Sequence, residues 1–370
     1  MIQAIGYATK SAHAALKPYE FTRPDPKANE VQIKITHCGI CHSDVHQARN
    51  EWNNTLYPCM PGHEIIGRVE KTGSAVKKFK TGDIVGVGCM VDSCKECPSC
   101  KEGLEQYCES EKGFLATYNG NQRMPSPENH TYGGYSNLIV VREDFVLTIP
   151  QNLDPAAAGP ILCAGVTTYS PLRHWGVKSG HKVGIIGLGG LGHMAVKLAK
   201  AMGAEVSVIT TSKEKREDAL ALGAKEVILS DDNADMKKHK SSFDFILSTI
   251  PQPHDVNPYA ELLKRDGVIT IVGCIAPLTK PLDMSKLLMD RRSLGTSLIG
   301  GIKETQEVLD FCSKHNIQPN TRLVSVDKIN EAFDEIDAGK IDFRYVIDMA
   351  TLAEKHEDKS ILGKIGITSH

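Results

Sequence analysis

Four thiols in the spacing CxxCxxCx7C, at Cys94, Cys97, Cys100 and Cys108, form a ready shell for one metal ion. Thiolates this close in sequence complete a tetrahedron and leave no position for substrate, which is the arrangement of structural zinc. A second metal-like set, Cys41, His63-Glu64 and Cys163, is scattered along the chain. Three protein ligands, one of them a histidine, leave a fourth position for water or substrate, and catalytic zinc is held that way. A closed set beside an open one points to an enzyme that holds two Zn2+ per chain.

The surroundings strengthen the open set. Gly39-Ile40-Cys41-His42-Ser43-Asp44-Val45-His46 packs a thiol, a hydroxyl, an acid and two imidazoles into eight residues, a density that packing does not need. Cys38 makes a CxxC with Cys41, so a thiol-disulfide motif stays open, although no thioredoxin-like helix start follows; Cys38 is expected as a buried strand residue. Cys59, Cys274 and Cys312 have no ligand-spaced partners and are expected at buried positions. A nucleic-acid-binding zinc ribbon is the other use of a four-cysteine lobe. Residues 92–112 carry Asp92, Glu96, Glu102, Glu105, Glu109 and Glu111 against three lysines, and that excess of acid repels phosphate.

A third feature is Gly187-Leu188-Gly189-Gly190-Leu191-Gly192, a GxGxxG run between an apolar stretch (Val183 to Ile186) and an amphipathic one (Met194, Leu198, Met202). In that setting the glycines make a tight turn, let backbone N–H groups approach a pyrophosphate, and allow close helix-strand packing. NAD-binding versions carry an acid about 20 residues on, which grips the ribose diol. Here the position reads Thr210-Thr211-Ser212, followed by Lys213, Lys215 and Arg216. Small hydroxyls leave room for a 2′-phosphate and the cations supply charge, so NADP is preferred. Glu214 is expected past the strand end, on the following helix, facing solvent.

The elements that must position these groups follow from length and periodicity. With 370 residues, 41% hydrophobic and 24% charged, the chain has the ordinary mix of a globular protein and exceeds the size of one core, so two domains are expected. No apolar run is long enough to cross a bilayer, residues 1–21 lack a secretory apolar stretch, and a formal net charge of -2 offers no field for nucleic acid or an anionic membrane. Eleven cysteines in such a chain favour metal binding over disulfides, and a cytoplasmic location is expected. Residues 1–157 alternate apolar and polar positions, such as Val31, Ile33 and Ile35 against Gln32, Lys34 and Thr36, and read as a β-rich unit with the cysteine lobe at about 89–112. Residues 158–299 alternate strands and helices: strands at Lys182 to Leu188, Glu205 to Thr211, Glu226 to Leu229, Phe243 to Ile250 and Val268 to Gly273, and a helix at Gly190 to Met202. That order predicts an α/β domain with a doubly wound parallel sheet. Residues 300–350, with a helix at Glu304 to His315 and a strand at Tyr345 to Asp348, are expected to return to the first domain, and 351–370 form a polar tail.

On these residues the chain resembles the zinc-containing medium-chain alcohol dehydrogenases, and within them the NADP-dependent cinnamyl alcohol dehydrogenase-like group. Gly62-His63-Glu64-Ile65-Ile66-Gly67, with Gly73 and Val76, matches the family's zinc motif, and the four-cysteine lobe and GLGGLG follow in the family's order over about residues 1–350. The resemblance implies a GroES-like catalytic domain interrupted by a Rossmann domain, with the active site between them, and a homodimer. It assigns Cys41, His63 and Cys163 to the catalytic zinc, Glu64 as an occasional ligand, and Asp44 as the group that orients His63. Zinc then polarises the carbonyl oxygen, hydride passes between NADP(H) and the carbonyl carbon, and Ser43 links the reacting oxygen to a proton relay ending at His46. Thr167, Thr249, Gly273 and Ser297-Leu298-Ile299 are implied cofactor contacts, with Arg344 reaching the cofactor phosphates. Gln47, Trp52, Cys89 and Leu298 are implied to line the substrate pocket. Where aromatic-alcohol members carry a Trp shortly before a Ser-Tyr-Asn-like segment, this chain reads Phe114-Leu115-Ala116-Thr117-Tyr118-Asn119. A roomier apolar pocket, open to aryl and aliphatic aldehydes and primary alcohols, is implied, since such pockets discriminate by only ~1–3 kcal/mol per methylene. A zinc-free quinone reductase-like member would lack the cysteines. A non-catalytic structural or binding protein on the same scaffold need not keep Ser43 and His46.

Overall fold

The computed structural model describes residues 1–339 and 344–352, and contacts divide the chain into two compact units. The first comprises Met1–Cys163, Gly301–Asp310 and the stretch from Gln318 onward; the second comprises Ala164–Gly300 and Phe311–Ile317. The helix Ile302–His315 therefore begins in the first unit and ends in the second. Residues 353–370, the greater part of the expected tail, lie outside the described residues.

The first unit is organised by the strand Glu30–Ile40. Val31, Ile33 and Ile35 are buried while Lys34 faces out, the alternation of a strand with one face on a core. It stands in a seven-stranded sheet, flanked by Ile65–Thr72 on one side and Arg344–Asp348 on the other. The sheet continues through Ile84–Val87 to Leu147–Thr148, and beyond Arg344–Asp348 to Thr321–Ser325; Leu138–Arg142 also pairs with the central strand. The register slips between Ile35 and His37. Such a bulge re-aims a strand end, and from there Cys38 to Cys41 run through the buried interior into the helix His42–Ala48.

A two-stranded hairpin, Ile2–Ala8 with Lys17–Arg23, carries a buried arginine into this unit. Arg23 donates to the carbonyls of Leu138 (2.7 Å) and Tyr132 (2.9 Å) and to Ser136 Oγ (3.3 Å). Burial pulls its pKa down to about 9, so it remains a cation near neutrality. It fixes the segment Tyr132–Ser136, which reaches the site described below.

The second unit is a six-stranded parallel sheet in the order Glu226–Leu229, Glu205–Thr210, Lys182–Ile186, Phe243–Ser248, Leu263–Ile271, Ser293–Thr296. This is the doubly wound order with its switch between Lys182–Ile186 and Phe243–Ser248, where ligands bind at the carboxyl ends of strands. Ile186, Ile209, Ile228, Ile246 and Ile269, one from each of five strands, form its core with Phe243 and Leu263. The first strand stops at Ile186 rather than Leu188 because Gly187 turns into the left-handed region at φ 87°. Its helix begins at Gly192, two residues later than expected. The strand expected from Val268 starts at Leu263 instead.

Arg23→Ala strips a charged donor from Leu138 O, Tyr132 O, Gly133 O and Ser136 Oγ and is expected to cost on the order of 3 kcal/mol, read as a lower urea midpoint with an unchanged slope.

Candidate active site

Cys41 stands between the central strand and the helix His42–Ala48, at its N-cap; His63 and Glu64 precede the neighbouring strand Ile65–Thr72; Cys163 sits on a π-turn over Ile161–Gly165. Turns of that kind recur at functional sites because they displace one side chain from helical register. Ligand atoms of Cys41, His63, Glu64 and Cys163 all lie within 4.8 Å of one another, and all four residues are buried. His63 Nε2 is 3.2 Å and Cys41 Sγ 3.9 Å from Cys163 Sγ. Zinc bonds of about 2.0–2.3 Å put tetrahedral ligand atoms roughly 3.3–3.8 Å apart, so the set fits the ion.

Asp44 holds this set from behind. Its carboxylate is fully buried and accepts from four donors: Cys41 N at 2.9 Å, Gly62 N at 3.0 Å, His63 Nδ1 at 3.0 Å and Tyr135 OH at 3.1 Å. By taking the Nδ1 proton it leaves the Nε2 lone pair of His63 facing the thiols, the tautomer a metal ligand requires. Burial works to lower the His63 pKa, but the charge of Asp44 and its hydrogen bond outweigh it and push it well up. The Cys41 thiol is pushed well below its usual range, first by the hydrogen bond with Cys163, against burial, and further by the Arg344 and His63 cations.

Glu64 is a second buried carboxylate in contact with the set. One oxygen pairs with Arg344, while Oε2 has no protein partner. An orphaned buried oxygen among metal-ligand atoms is what an occasional ligand would show. Arg344, expected at the cofactor phosphates, is instead 5% exposed and committed to Glu64, because a buried carboxylate needs a cation. Gly39 makes the room, since a Cβ there would sit 1.9 Å from Glu64 Oε2.

The four lobe cysteines also converge within 4.8 Å. Backbone N–H groups of Cys97, Cys100 and Glu109 point at the sulfurs of Cys94 and Cys97 at 3.3–3.4 Å, the cradle of a thiolate-bound ion. The Ser110 hydroxyl, working against burial, brings Cys108 down to about 6, while burial pushes Cys100 up to about 12. All eleven cysteines are free; Cys38 and Cys59 are buried in this unit with thiols pushed up by burial, whereas Cys274 is only half-buried.

Ser43 Oγ lies 3.6 Å from Cys41 Sγ. His46, one helical turn on, bonds Glu51 through Nδ1 at 2.5 Å, stacks on His42 at 4.3 Å and lies beside Trp52 at 5.6 Å. Among the described residues no direct hydrogen bond joins Ser43 to His46. Gln47, expected in the substrate pocket, is turned inward: its amide donates to Asn54 Oδ1 and Thr55 Oγ1 at 2.9 and 2.7 Å. Cys89 is half-buried and its thiol is lowered by a hydrogen bond with Cys163, which places it against the metal set. Tyr135, Tyr118, whose ring lies 5.6 Å from His63, and Glu51 escaped the sequence reasoning, since an aromatic or an acid outside any motif carries no spacing signal.

In the second unit, the first glycine of the loop takes the positive φ, Gly189 faces open space, and a Cβ on Gly192 would meet Gly187 O at 2.1 Å. The open face at Gly189 is the cradle a phosphate needs. Leu188 and Lys215 are joined through the Leu188 carbonyl and Nζ at 3.1 Å. Gly190 and Leu191 lead into the helix, and His193 returns Nδ1 to Gly189 O at 3.3 Å, its pKa drawn down to about 4 by burial. Thr249 Oγ1 is committed to the Ile186 carbonyl at 2.9 Å, and Gly273 is required because a Cβ would strike the Ile250 and Thr249 carbonyls. Thr167 is buried with an unpartnered hydroxyl. Ser297 N reaches Ile271 O at 3.4 Å, and Ile299 adopts φ 37°. Thr210 Oγ1 is taken by Ser212 N, at the end of the second strand. Thr211, Ser212, Lys213 and Glu214 all lie in the turn before the helix Arg216–Leu222. Glu214 is thus not on that helix as expected: the Ser212 hydroxyl holds it at 2.7 Å.

Residues 27–151 match the family described as Alcohol dehydrogenase GroES-like domain, and residues 190–314 the family described as Zinc-binding dehydrogenase. The chain is 51% identical to aldehyde reductase YahK of Escherichia coli over 355 residues, covering 95% of this chain and 99% of that one. It is 49% identical to NADP-dependent alcohol dehydrogenase C 1 of Mycolicibacterium smegmatis over 347 residues, 94% of this chain and 98% of the other. The solved structure of CAD from Helicobacter pylori complexed with NADP(H) is 44% identical, superposes with a TM-score of 0.86 and covers 94% of this chain and 99% of its own.

Two zinc ions per chain are expected by metal analysis of freshly purified protein, and a single ion would contradict the two donor sets. Cys163→Ala should lose one zinc and turnover with the fold retained. Cys97→Ala should instead lower thermal stability through the lobe.

Proposed function

The chain belongs to the zinc-containing medium-chain alcohol dehydrogenases, and from that premise we propose that it is an NADP(H)-dependent alcohol dehydrogenase and aldehyde reductase acting on primary alcohols and aldehydes, aryl and aliphatic. The observation that carries this reading is the open, buried ligand set of Cys41, His63 and Cys163, held by a carboxylate that fixes the tautomer of its histidine. When bound, zinc withdraws electron density from the carbonyl oxygen and NADPH supplies the hydride. The rest of the chemistry falls to side chains. Asp44 keeps the His63 Nε2 lone pair presented. Ser43 gives its proton to the oxygen as the carbonyl is reduced, and His46, backed by Glu51 at a partly exposed position, returns a proton from solvent. The same groups run in reverse for alcohol oxidation. A non-catalytic scaffold would need neither Ser43 nor His46, and relatives about half identical over nearly the whole chain carry the names of reductases and dehydrogenases.

The cofactor preference rests on the strand Glu205–Thr210, which ends in Thr210-Thr211-Ser212 with no carboxylate at its tip. Lys213 and Arg216 supply positive charge for a 2′-phosphate. Ser212, whose hydroxyl donates to Glu214 at 2.7 Å, would be shared between Glu214 and a 2′-phosphate held there. Cys89 beside the metal set, with Trp52 near the relay, and Leu298 are proposed to border the substrate; Gln47 supports the loop 50–55 from inside.

We further infer a cytoplasmic homodimer. Eleven free cysteines suit a reducing compartment, and no helix among the described residues is long and apolar enough to cross a membrane. Ser293–Thr296 is an edge strand of the parallel sheet, and Ile275, Met284, Leu288 and Met289 of the same unit are 71%, 62%, 73% and 79% exposed. Apolar side chains so exposed beside an open strand edge favour burial against a second copy.

Steady-state kinetics should give a higher kcat/KM with NADPH than with NADH, and Thr211→Asp should reverse the order by repelling the 2′-phosphate; equal values in the unmodified enzyme count against the assignment. His46→Ala should slow aldehyde reduction by roughly 10²–10⁴-fold with both zincs retained, and Ser43→Ala should slow it more, because water can stand in at the outer end of a relay. An unchanged rate and pH profile for His46→Ala, with chemistry limiting, would remove the relay. Sedimentation should show a dimer that Leu288→Glu splits into monomers.

A further inference from the structure

We propose that Tyr135 is a positioning residue for the catalytic metal set, acting through Asp44 on His63, an inference that rests on the zinc reading above. Tyr135 is 1% exposed, stands in no metal or cofactor motif, and points its hydroxyl at Asp44 Oδ2, 3.1 Å away. The other oxygen of that carboxylate receives His63 Nδ1. Oδ2 thus takes the phenol with Cys41 N, and Oδ1 takes the ligand with Gly62 N.

The backbone around Tyr135 serves the same end. Gly133 N donates to Met60 O at 2.8 Å, Gly134 N to Gly62 O at 2.8 Å and Tyr135 N to Pro61 O at 3.1 Å. The segment runs hydrogen-bonded beside the three residues that lead into His63. Gly133 and Gly134 permit the approach, since a Cβ on either would fall 2.3 Å from Pro61 O or 2.4 Å from Ile65 Cγ1. Tyr7 N takes the Tyr135 carbonyl at 2.8 Å, and Arg23 clamps the carbonyls of Tyr132 and Gly133 and the Ser136 hydroxyl. The ligand and the carboxylate that orients it are therefore referenced to one clamped segment. Burial first, and then the neighbouring Asp44 charge, push the Tyr135 phenol well above its usual range, so it stays an O–H donor.

Without the phenol, Asp44 loses one of the two donors to Oδ2 and keeps Cys41 N there with Gly62 N and His63 Nδ1 on Oδ1, so the carboxylate that directs His63 is held less tightly. Groups that orient a metal-bound histidine typically change metal affinity or activity 10- to 100-fold. Zinc release to a chromogenic chelator, followed on the full-length two-zinc protein, separates the sites, and the phase missing in Cys163→Ala belongs to the Cys41 set. Tyr135→Phe, which keeps the ring, should quicken that phase by about 10- to 100-fold and leave the lobe phase at its original rate. Tyr57→Phe is the control: it deletes a hydroxyl bonded at 2.9 Å to Ala48 O, on the same helix as Asp44, and should change neither phase. Unchanged release in Tyr135→Phe, or both phases quickened alike, overturns the proposal. Parent protein that releases a single zinc overturns the zinc reading itself and takes this inference with it.

Discussion

A carboxylate with no access to water must find a donor for each of its lone pairs, and the catalytic region is arranged around that demand at Asp44. Its four donors come from three places in the chain: the residue after the central strand (Cys41 N), the segment before the next strand (Gly62 N and His63 Nδ1) and a distant aromatic (Tyr135 OH). Meeting that demand brings together the pieces that must meet for the metal set to exist. Removing one partner from a buried charge costs roughly 3–5 kcal/mol in comparable cases, so the arrangement resists partial assembly. Stability and preorganisation have the same source here.

Glu64 and Arg344 repeat the logic with a cation as partner. The strand Arg344–Asp348 lies against the end of the central strand, Tyr345 opposite Ile40, and delivers Arg344 to a carboxylate that would otherwise be an isolated charge. Only one Glu64 oxygen is satisfied. A pair of this kind adds little net stability compared with apolar packing. What it provides is a second oxygen held beside the metal ligands with nothing else to bind.

The four-cysteine lobe was legible from its regular spacing, the scattered set of Cys41, His63 and Cys163 only from the dense segment 39–46 and the resemblance to a family, and the dinucleotide loop because its glycines sit between a strand and a helix. Alternation in Val31, Ile33 and Ile35 marked the central strand, and burial follows it until the bulge at Ile35/His37. What could not be read were contacts made across long separations by residues with many other uses. Tyr135 lies 91 positions from Asp44, and Arg344 lies 280 from Glu64. Arg344 illustrates this: a lone arginine near the end of a chain suggests a phosphate, and its pairing with a buried acid is visible only in the fold. On a smaller scale, Gln47 bonds Asn54 and Thr55, and Glu214, exposed as expected, lies in the turn before its helix rather than on it, held by Ser212.

The two metal sets also differ in how they are built, and the difference matches their tasks. The lobe draws its four thiols from within 15 residues and stabilises them with backbone N–H groups of the same segment, so it can close on an ion with little help from the rest of the fold. A local set of that kind needs only to be filled. The catalytic set draws on Cys41, His63 and Cys163, fixed by a strand end, a turn before a strand and a π-turn, and each is oriented by residues far from it in sequence. Ligands delivered by separate rigid elements are held in place by the fold rather than by their own segment. The arrangement of these groups is thus a property of the whole first unit, and the network through Asp44 is what directs His63 within it.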